Sequence, residues 1–309
     1  MHRRKIVIVG GGGLVGAATA QALAVKELTG SILLIDVAKD KAHGQAMDIN
    51  HGAAFTSGVQ VRSGSYEDIE TDDIIVITCG ASVQAGQTRL DLLATNARIV
   101  EEVVESIMAR GKQVFLLLVT NPVDVLTYVA YKKSGLPRER VFGTGTALDT
   151  ARLRVTLAAD LGVSQQDVSA YILGEHGDSS FPALSSATIG GVPLEQFPGF
   201  KPSMIATIDA DIRSAAQDIR AAKQSTYFGI AHTVVGIVDA MLRDVPTILA
   251  VSAVAEGEYG FSDLAIGLPA LVSAHGARIL ENYPLNSHEK RQLGASGNVV
   301  QAALQRVAS

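Results

Sequence analysis

Short apolar runs alternate with helix-spaced stretches through the first half of the chain. Residues 5–9 form a β-branched run that ends in glycines, and similar runs occupy 31–36, 59–63, 73–78 and 113–120, with Val141 closing the series. Between them, residues 14–26, 39–47, 90–110 and 123–134 carry helical periodicity. Runs that are apolar at consecutive positions predict strands covered on both faces, and their alternation with helices predicts a parallel sheet. The expected fold class is α/β: a doubly wound parallel sheet over residues 1–143. The remainder reads differently. Helices are expected at 147–161, 205–222, 226–242 and 287–307 and strands at 168–173, 185–191 and 247–255, the last two antiparallel. This predicts a second, α+β domain over residues 144–309, with the boundary in the Gly143-Thr144-Gly145 segment.

Composition narrows the class. The 309 residues suffice for two domains, each with its own core. Lys plus Arg is 26 against 31 Asp plus Glu, a net charge of −5, so there is no basic footprint for nucleic acid. The longest apolar runs, such as 114–119, are far too short to cross a bilayer, and the first residues show no signal-peptide pattern. The sole cysteine, Cys79, permits no intrachain disulfide and reads as a buried strand-end residue rather than a nucleophile. A cytoplasmic location is expected.

Gly11, Gly13 and Gly16 fit Gly-x-Gly-x-x-Gly after a strand and at the opening of a helix. Glycines there let the backbone turn tightly and approach a pyrophosphate at the helix N-terminus, the Rossmann arrangement. Asp36 ends the second strand 20 residues after Gly16, where a carboxylate accepts ribose hydroxyls. It would repel a 2′-phosphate, so the expected cofactor is NAD rather than NADP.

Of seven histidines, His2 and His288 read as solvated, and His232, in an apolar helix, reads as a packed core residue. His176 differs. It lies in the polar, glycine-flanked segment Leu173-Gly174-Glu175-His176-Gly177-Asp178-Ser179-Ser180, where glycines admit a substrate to a ring that titrates near neutral pH.

Four motifs occur together in order: Gly-Gln-Thr-Arg-Leu-Asp at 86–91, Thr-Asn-Pro-Val-Asp at 120–124, Leu-Asp-Thr-Ala-Arg at 148–152 and Gly-Glu-His-Gly-Asp-Ser at 174–179. With them the chain resembles the L-lactate/malate dehydrogenases over essentially its whole length, the bacterial-type lactate branch more closely. That resemblance implies an NAD-dependent oxidoreductase acting on a small 2-oxo or 2-hydroxy acid. It implies His176 as acid/base, Asp149 as its carboxylate partner, and Arg152 as a bidentate clamp on the substrate carboxylate, a task for which lysine is less suited. It implies Asn121 at the nicotinamide and the substrate, with a cis Asn121-Pro122 bond. Arg89 is implied on a closing lid, where it polarises the substrate carbonyl and excludes water. Thr226 and Ile230 match positions lining the substrate and nicotinamide pockets, respectively. No metal is implied. A homodimer or homotetramer is.

The lid departs from the family pattern. Six positions before its arginine, lactate enzymes resemble one another in having Gln and malate enzymes in having Arg; here the position is Val83, with Gln84 beside it. Valine cannot pair with a second carboxylate, so L-lactate dehydrogenase is the leading expectation, with a dehydrogenase for bulkier 2-oxo acids or for malate as the alternative. Where the family's sugar-bisphosphate site pairs an Arg with a His, Arg154 is present but Ser169 replaces the His, so weak or absent activation is expected. An NAD-dependent glycosidase would need a Cys and His metal site, which one cysteine does not provide. A non-catalytic relative would not be expected to keep His176, Asp149, Arg152 and Arg89 in register.

Overall fold

The computed structural model describes residues 4–56, 58–81 and 89–307, with residues 89–91 by backbone only. In chain order the elements are β1 (Ile6–Val9), α1 (Leu14–Val25), β2 (Ser31–Ile35), α2 (Lys39–Ala53), β3 (Gln60–Ser63), β4 (Ile74–Ile77), α3 (Arg89–Met108), β5 (Phe115–Leu118), α4 (Val123–Ser134) and β6 (Val141–Gly143). There follow α5 (Ala147–Leu161), β7 (Val168–Leu173), β8 (Phe181–Ile189), β9 (Val192–Pro193), α6 (Ser203–Lys223), α7 (Phe228–Arg243), β10 (Thr247–Glu256), β11 (Ser262–Ser273), β12 (Gly276–Ile279) and α8 (Ser287–Val307).

β1, β4 and β5 are buried at every position, as their uninterrupted apolar runs require. Alternate side chains feed two cores. Ile6, Ile8, Ile74 and Val76 meet Leu23 of α1 and Val234 and Val238 of α7, while Val7, Ile75, Leu116 and Leu118 meet Val100 and Val104 of α3 and Leu126 of α4. The strand order is β12-β11-β10-β6-β5-β4-β1-β2-β3. β3 through β6 run parallel, and the order reverses beside β1, opening a crevice at the carboxyl ends of the strands. A second sheet, β7-β8-β9, is antiparallel and packs against α5 and α6 through Leu153, Leu157, Ile172 and Ile208.

The α/β reading of the sequence therefore stands, with three differences. β10 joins β6 antiparallel through the pairs Ser252↔Gly143 and Ala253↔Phe142, so β10–β12 extend the sheet of the first half. β9, β11 and β12 have no counterpart among the expected strands. Pro269 argues against a central strand, yet it sits inside β11, where β12 has already ended: the last β12 pair is Ala270↔Ile279, and the Pro269 carbonyl accepts Leu280 N–H at 2.8 Å. Finally, His232 is exposed rather than packed, on the outer face of α7. Among the described residues, no helix is long and apolar enough to cross a membrane.

Candidate active site

The glycine loop leaves β1 and turns into α1. A Cβ on Gly16 would lie 2.9 Å from the Gly10 carbonyl carbon and the Gly11 Cα, so only glycine allows the helix this close to the strand end. Gly13 caps α1 in extended conformation without a side-chain hydrogen bond, and the first turn carries no acidic residue. Its backbone N–H groups and dipole can thus take an anion. Asp36 braces the loop: Oδ2 accepts Gly12 N–H and Oδ1 accepts Ala38 N–H, each at 2.9 Å. Asp36 also lines a cavity of about 280 Å³ with Lys39, Ala42 and Ser63. Glycines at the contact points, an unencumbered helix N-terminus and a carboxylate at the cavity rim fit a dinucleotide.

Across the crevice, α5 and the loop after β7 meet. His176 Nδ1 lies 2.6 Å from Asp149 Oδ2, and Asp149 Oδ1 accepts from Arg152 Nη1 at 2.9 Å. Asp-x-x-Arg on one helix would by itself be an ordinary ion pair; here its carboxylate also holds the histidine. The bond to Asp149 uses one N–H of the guanidinium's five. Burial alone would lower the His176 imidazole, but the hydrogen bond and charge of Asp149 outweigh it and hold the ring above its ordinary range. Burial would likewise raise Asp149; its bonds and charges with His176 and Arg152 instead hold it below the usual carboxylate range.

The histidine loop is pinned at several points. Gly174, at φ +97°, exchanges two backbone hydrogen bonds with Gly267 of β11, at 2.9 and 3.0 Å. Glu175 N–H donates to Ser296 Oγ of α8 at 2.6 Å, His176 N–H to Asp124 Oδ2 at 2.7 Å, and Arg213 of α6 donates to the Asp178 and Ser180 carbonyls. Thr146 Oγ1 donates to Ile172 O at 2.6 Å, tying α5 to β7 just upstream. Asp124, Ser296 and Arg213 were not among the residues expected from sequence. Asp124 closes the 120–124 motif and is an acid in the apolar start of α4, which were the available signals.

Asn121 follows β5 with its bond to Pro122 cis. Asn96 of α3 joins it to the end of β4: Nδ2 donates to Asn121 O at 2.9 Å and Oδ1 accepts Ala81 N–H at 2.8 Å. Thr226 lies half-buried before α7 and Ile230 in its first turn, packed on the main core. α7 approaches the catalytic helix so closely that a Cβ on Gly229 would lie 3.3 Å from Leu148. Arg89 opens α3, while its side chain, Val83 and Gln84 lie outside the described residues. Cys79 is largely enclosed, and burial pushes its thiol up to about 11. Arg154 is held locally, donating to Ala170 O at 3.0 Å with its guanidinium 4.7 Å from the Tyr171 ring centroid, and Ser169 is exposed.

A glycine loop that fits a dinucleotide and a carboxylate-held histidine together point to a nucleotide-dependent oxidoreductase. Residues 4–143 match the family model for the lactate/malate dehydrogenase NAD binding domain, and residues 146–309 match that for the lactate/malate dehydrogenase alpha/beta C-terminal domain. The chain belongs to the lactate/malate dehydrogenase family. It is 42% identical over 308 residues to the L-lactate dehydrogenase of Priestia megaterium, covering 98% of this chain and 96% of that one. A solved lactate dehydrogenase from a Medee basin deep-sea metagenome library superposes with a TM-score of 0.96 at 38% identity over the whole of both chains. The malate dehydrogenase of Salinibacter ruber superposes with a TM-score of 0.90 at 32% identity, covering 98% of this chain and 97% of that one.

Proposed function

We propose that this protein is an NAD-dependent L-2-hydroxyacid dehydrogenase that interconverts pyruvate and L-lactate, with residues 1–143 holding the cofactor and residues 144–309 the substrate. The observation that carries the reading is the 2.6 Å contact between His176 Nδ1 and Asp149 Oδ2 in a chain of this family. Bound NADH would supply the hydride; Gly11, Gly13, Gly16 and Asp36 would hold the dinucleotide, with Asn121 and Ile230 on the side of its nicotinamide. Asp149 occupies Nδ1, which leaves Nε2 of His176 to give its proton to the substrate carbonyl oxygen and to take it back in the reverse direction. Arg152 would clamp the substrate carboxylate, with Thr226 and Asn121 as further substrate-binding residues. Arg89 reaches the carbonyl when the lid closes, polarising it and excluding water.

The names of the relatives support lactate over malate, as does the inability of Val83 to pair with a second carboxylate. Val83 also favours a second reading, a preference for 2-oxo acids bulkier than pyruvate. We further infer a cytoplasmic homodimer or homotetramer. The test is NADH oxidation, followed by absorbance, with pyruvate, 2-oxobutyrate, 2-oxoisocaproate and oxaloacetate. The highest kcat/KM with pyruvate is expected. Turnover of oxaloacetate above all others would overturn the assignment, and activity with none would remove the enzyme reading.

A further inference from the structure

Asp124 has no part in the chemistry above, yet it touches the same histidine. It stands in the first turn of α4, 2% exposed, and its Oδ2 accepts the backbone N–H of His176, 52 residues away in the chain, at 2.7 Å. Its other oxygen, Oδ1, has no hydrogen-bond partner among the described residues. The same holds for Thr127 Oγ1, further along α4 and fully buried. An asparagine oxygen could accept the same N–H without placing a carboxylate in the interior, where desolvation is unfavourable. The charge therefore calls for an explanation beyond the hydrogen bond.

The surroundings supply one. His176 is faced by Asp149 and Arg152 from α5, by Asp124 from α4 and by Glu175 of its own loop; Asp124 is faced by His176, Glu175 and the Ser252 hydroxyl of β10. We propose that Asp124 is a positioning residue for His176, fixing its peptide against α4 and setting a second negative charge beside that of Asp149. The proposal rests on the reading of His176 as the acid/base. Burial pushes the Asp124 carboxyl up to about 6, while the Ser252 hydroxyl and the His176 N–H and charge pull it down and favour the ionised form.

The test is Asp124→Asn, which keeps an acceptor for the His176 N–H and removes only the charge. Reduction of a 2-oxo acid needs protonated His176, and oxidation of a 2-hydroxy acid needs it neutral. Loss of the Asp124 charge favours the neutral ring, so both pH limbs move down by about half to one pH unit. kcat/KM for pyruvate should fall roughly three- to tenfold at pH 8 with little change at pH 6, while kcat/KM for lactate rises at pH 6. A role confined to structure cannot produce that gain. Asp124→Leu, which removes acceptor and charge together, should lose activity in both directions at every pH. Ser252→Ala should move the limbs the same way by less, and serves if Asp124→Asn does not fold. The imidazole titration, read by NMR with His176 assigned through its loss in His176→Asn, should shift downward in parallel. Wild-type limbs and an unshifted titration in Asp124→Asn would overturn the proposal while leaving the dehydrogenase reading intact, and so would a uniform loss in both directions. If the wild-type protein turns over no 2-oxo acid, the dehydrogenase reading falls, and a shifted titration would then be a charge coupling without a reaction, which also overturns the positioning role.

Discussion

His176 and Asp149 lie 27 residues apart in sequence and 2.6 Å apart in space, and their contact sets the direction of the pH response. The pair holds the imidazole above its ordinary range. Reduction of pyruvate should therefore persist above the ordinary histidine pKa of about 6.5 and be lost as pH rises through the raised value. Oxidation of lactate should gain over the same interval. In Asp149→Asn the limb should move to lower pH, and a limb that stays in place would show that Asp149 does not hold the proton on the ring.

Replacing the ring itself should separate chemistry from cofactor binding. His176→Asn is expected to reduce kcat by about 10²–10⁴-fold, the usual scale for a lost acid/base. NADH affinity, followed by fluorescence titration, should change by less than about twofold, because the glycine loop and Asp36 lie on the other half of the chain.

Asp36 accepts two backbone N–H groups and lines the cavity beside α2. Asp36→Ser removes the charge that opposes a 2′-phosphate, so kcat/KM for NADPH relative to NADH should rise tenfold or more on the scale of a lost unfavourable charge contact, about 1.4 kcal/mol. An unchanged ratio would remove Asp36 from cofactor choice.

In the proposed reading, Val83 of the lid meets the substrate side chain. Val83→Arg would supply a partner for the second carboxylate of oxaloacetate and leave an unpaired, desolvated charge against pyruvate. kcat/KM should move toward oxaloacetate, and Val83→Gln should move it toward pyruvate. If Gln84→Arg makes the switch while the Val83 variants do not, the selector is the neighbouring position.

Ser296 is fully buried on α8, accepts Glu175 N–H at 2.6 Å and lies 2.9 Å from Ser179 Oγ. Ser296→Ala leaves that N–H without its acceptor, which should cost about 1–3 kcal/mol in urea unfolding and loosen the histidine loop. A variant with wild-type stability and kcat would mean that α8 does not anchor the loop.

The sequence makes the parallel half of the fold visible because its central strands are apolar at every position, a signal that needs no knowledge of the partner strands. α4, α5 and α8 are legible to the residue, whereas β11 is concealed by Pro269 in its middle and by the polar pair Ser262-Asp263 at its start. His232 was misplaced for a different reason: α7 is apolar along most of its length, but the face that carries His232 points outward, and only its packing partners decide which face that is. At the site, Asp149, Arg152 and His176 could be read from motifs. Asp124 also stands in a motif, but its contact with the histidine loop was not legible, and Ser296 lies in no motif: both act on the backbone of a distant loop, and a side chain bonded to a peptide N–H leaves no matching residue in the sequence to reveal the pair.

The junction of β6 with β10 has a mechanical consequence. Among the described residues, two residue pairs, Ser252↔Gly143 and Ala253↔Phe142, stitch the strands of the second half to the sheet of the first. Severing the chain after Gly143 would bare a strand flank on each fragment, and such flanks seek any complementary edge. The two fragments, produced together, should reassemble across this seam as a split enzyme; produced alone, each should self-associate.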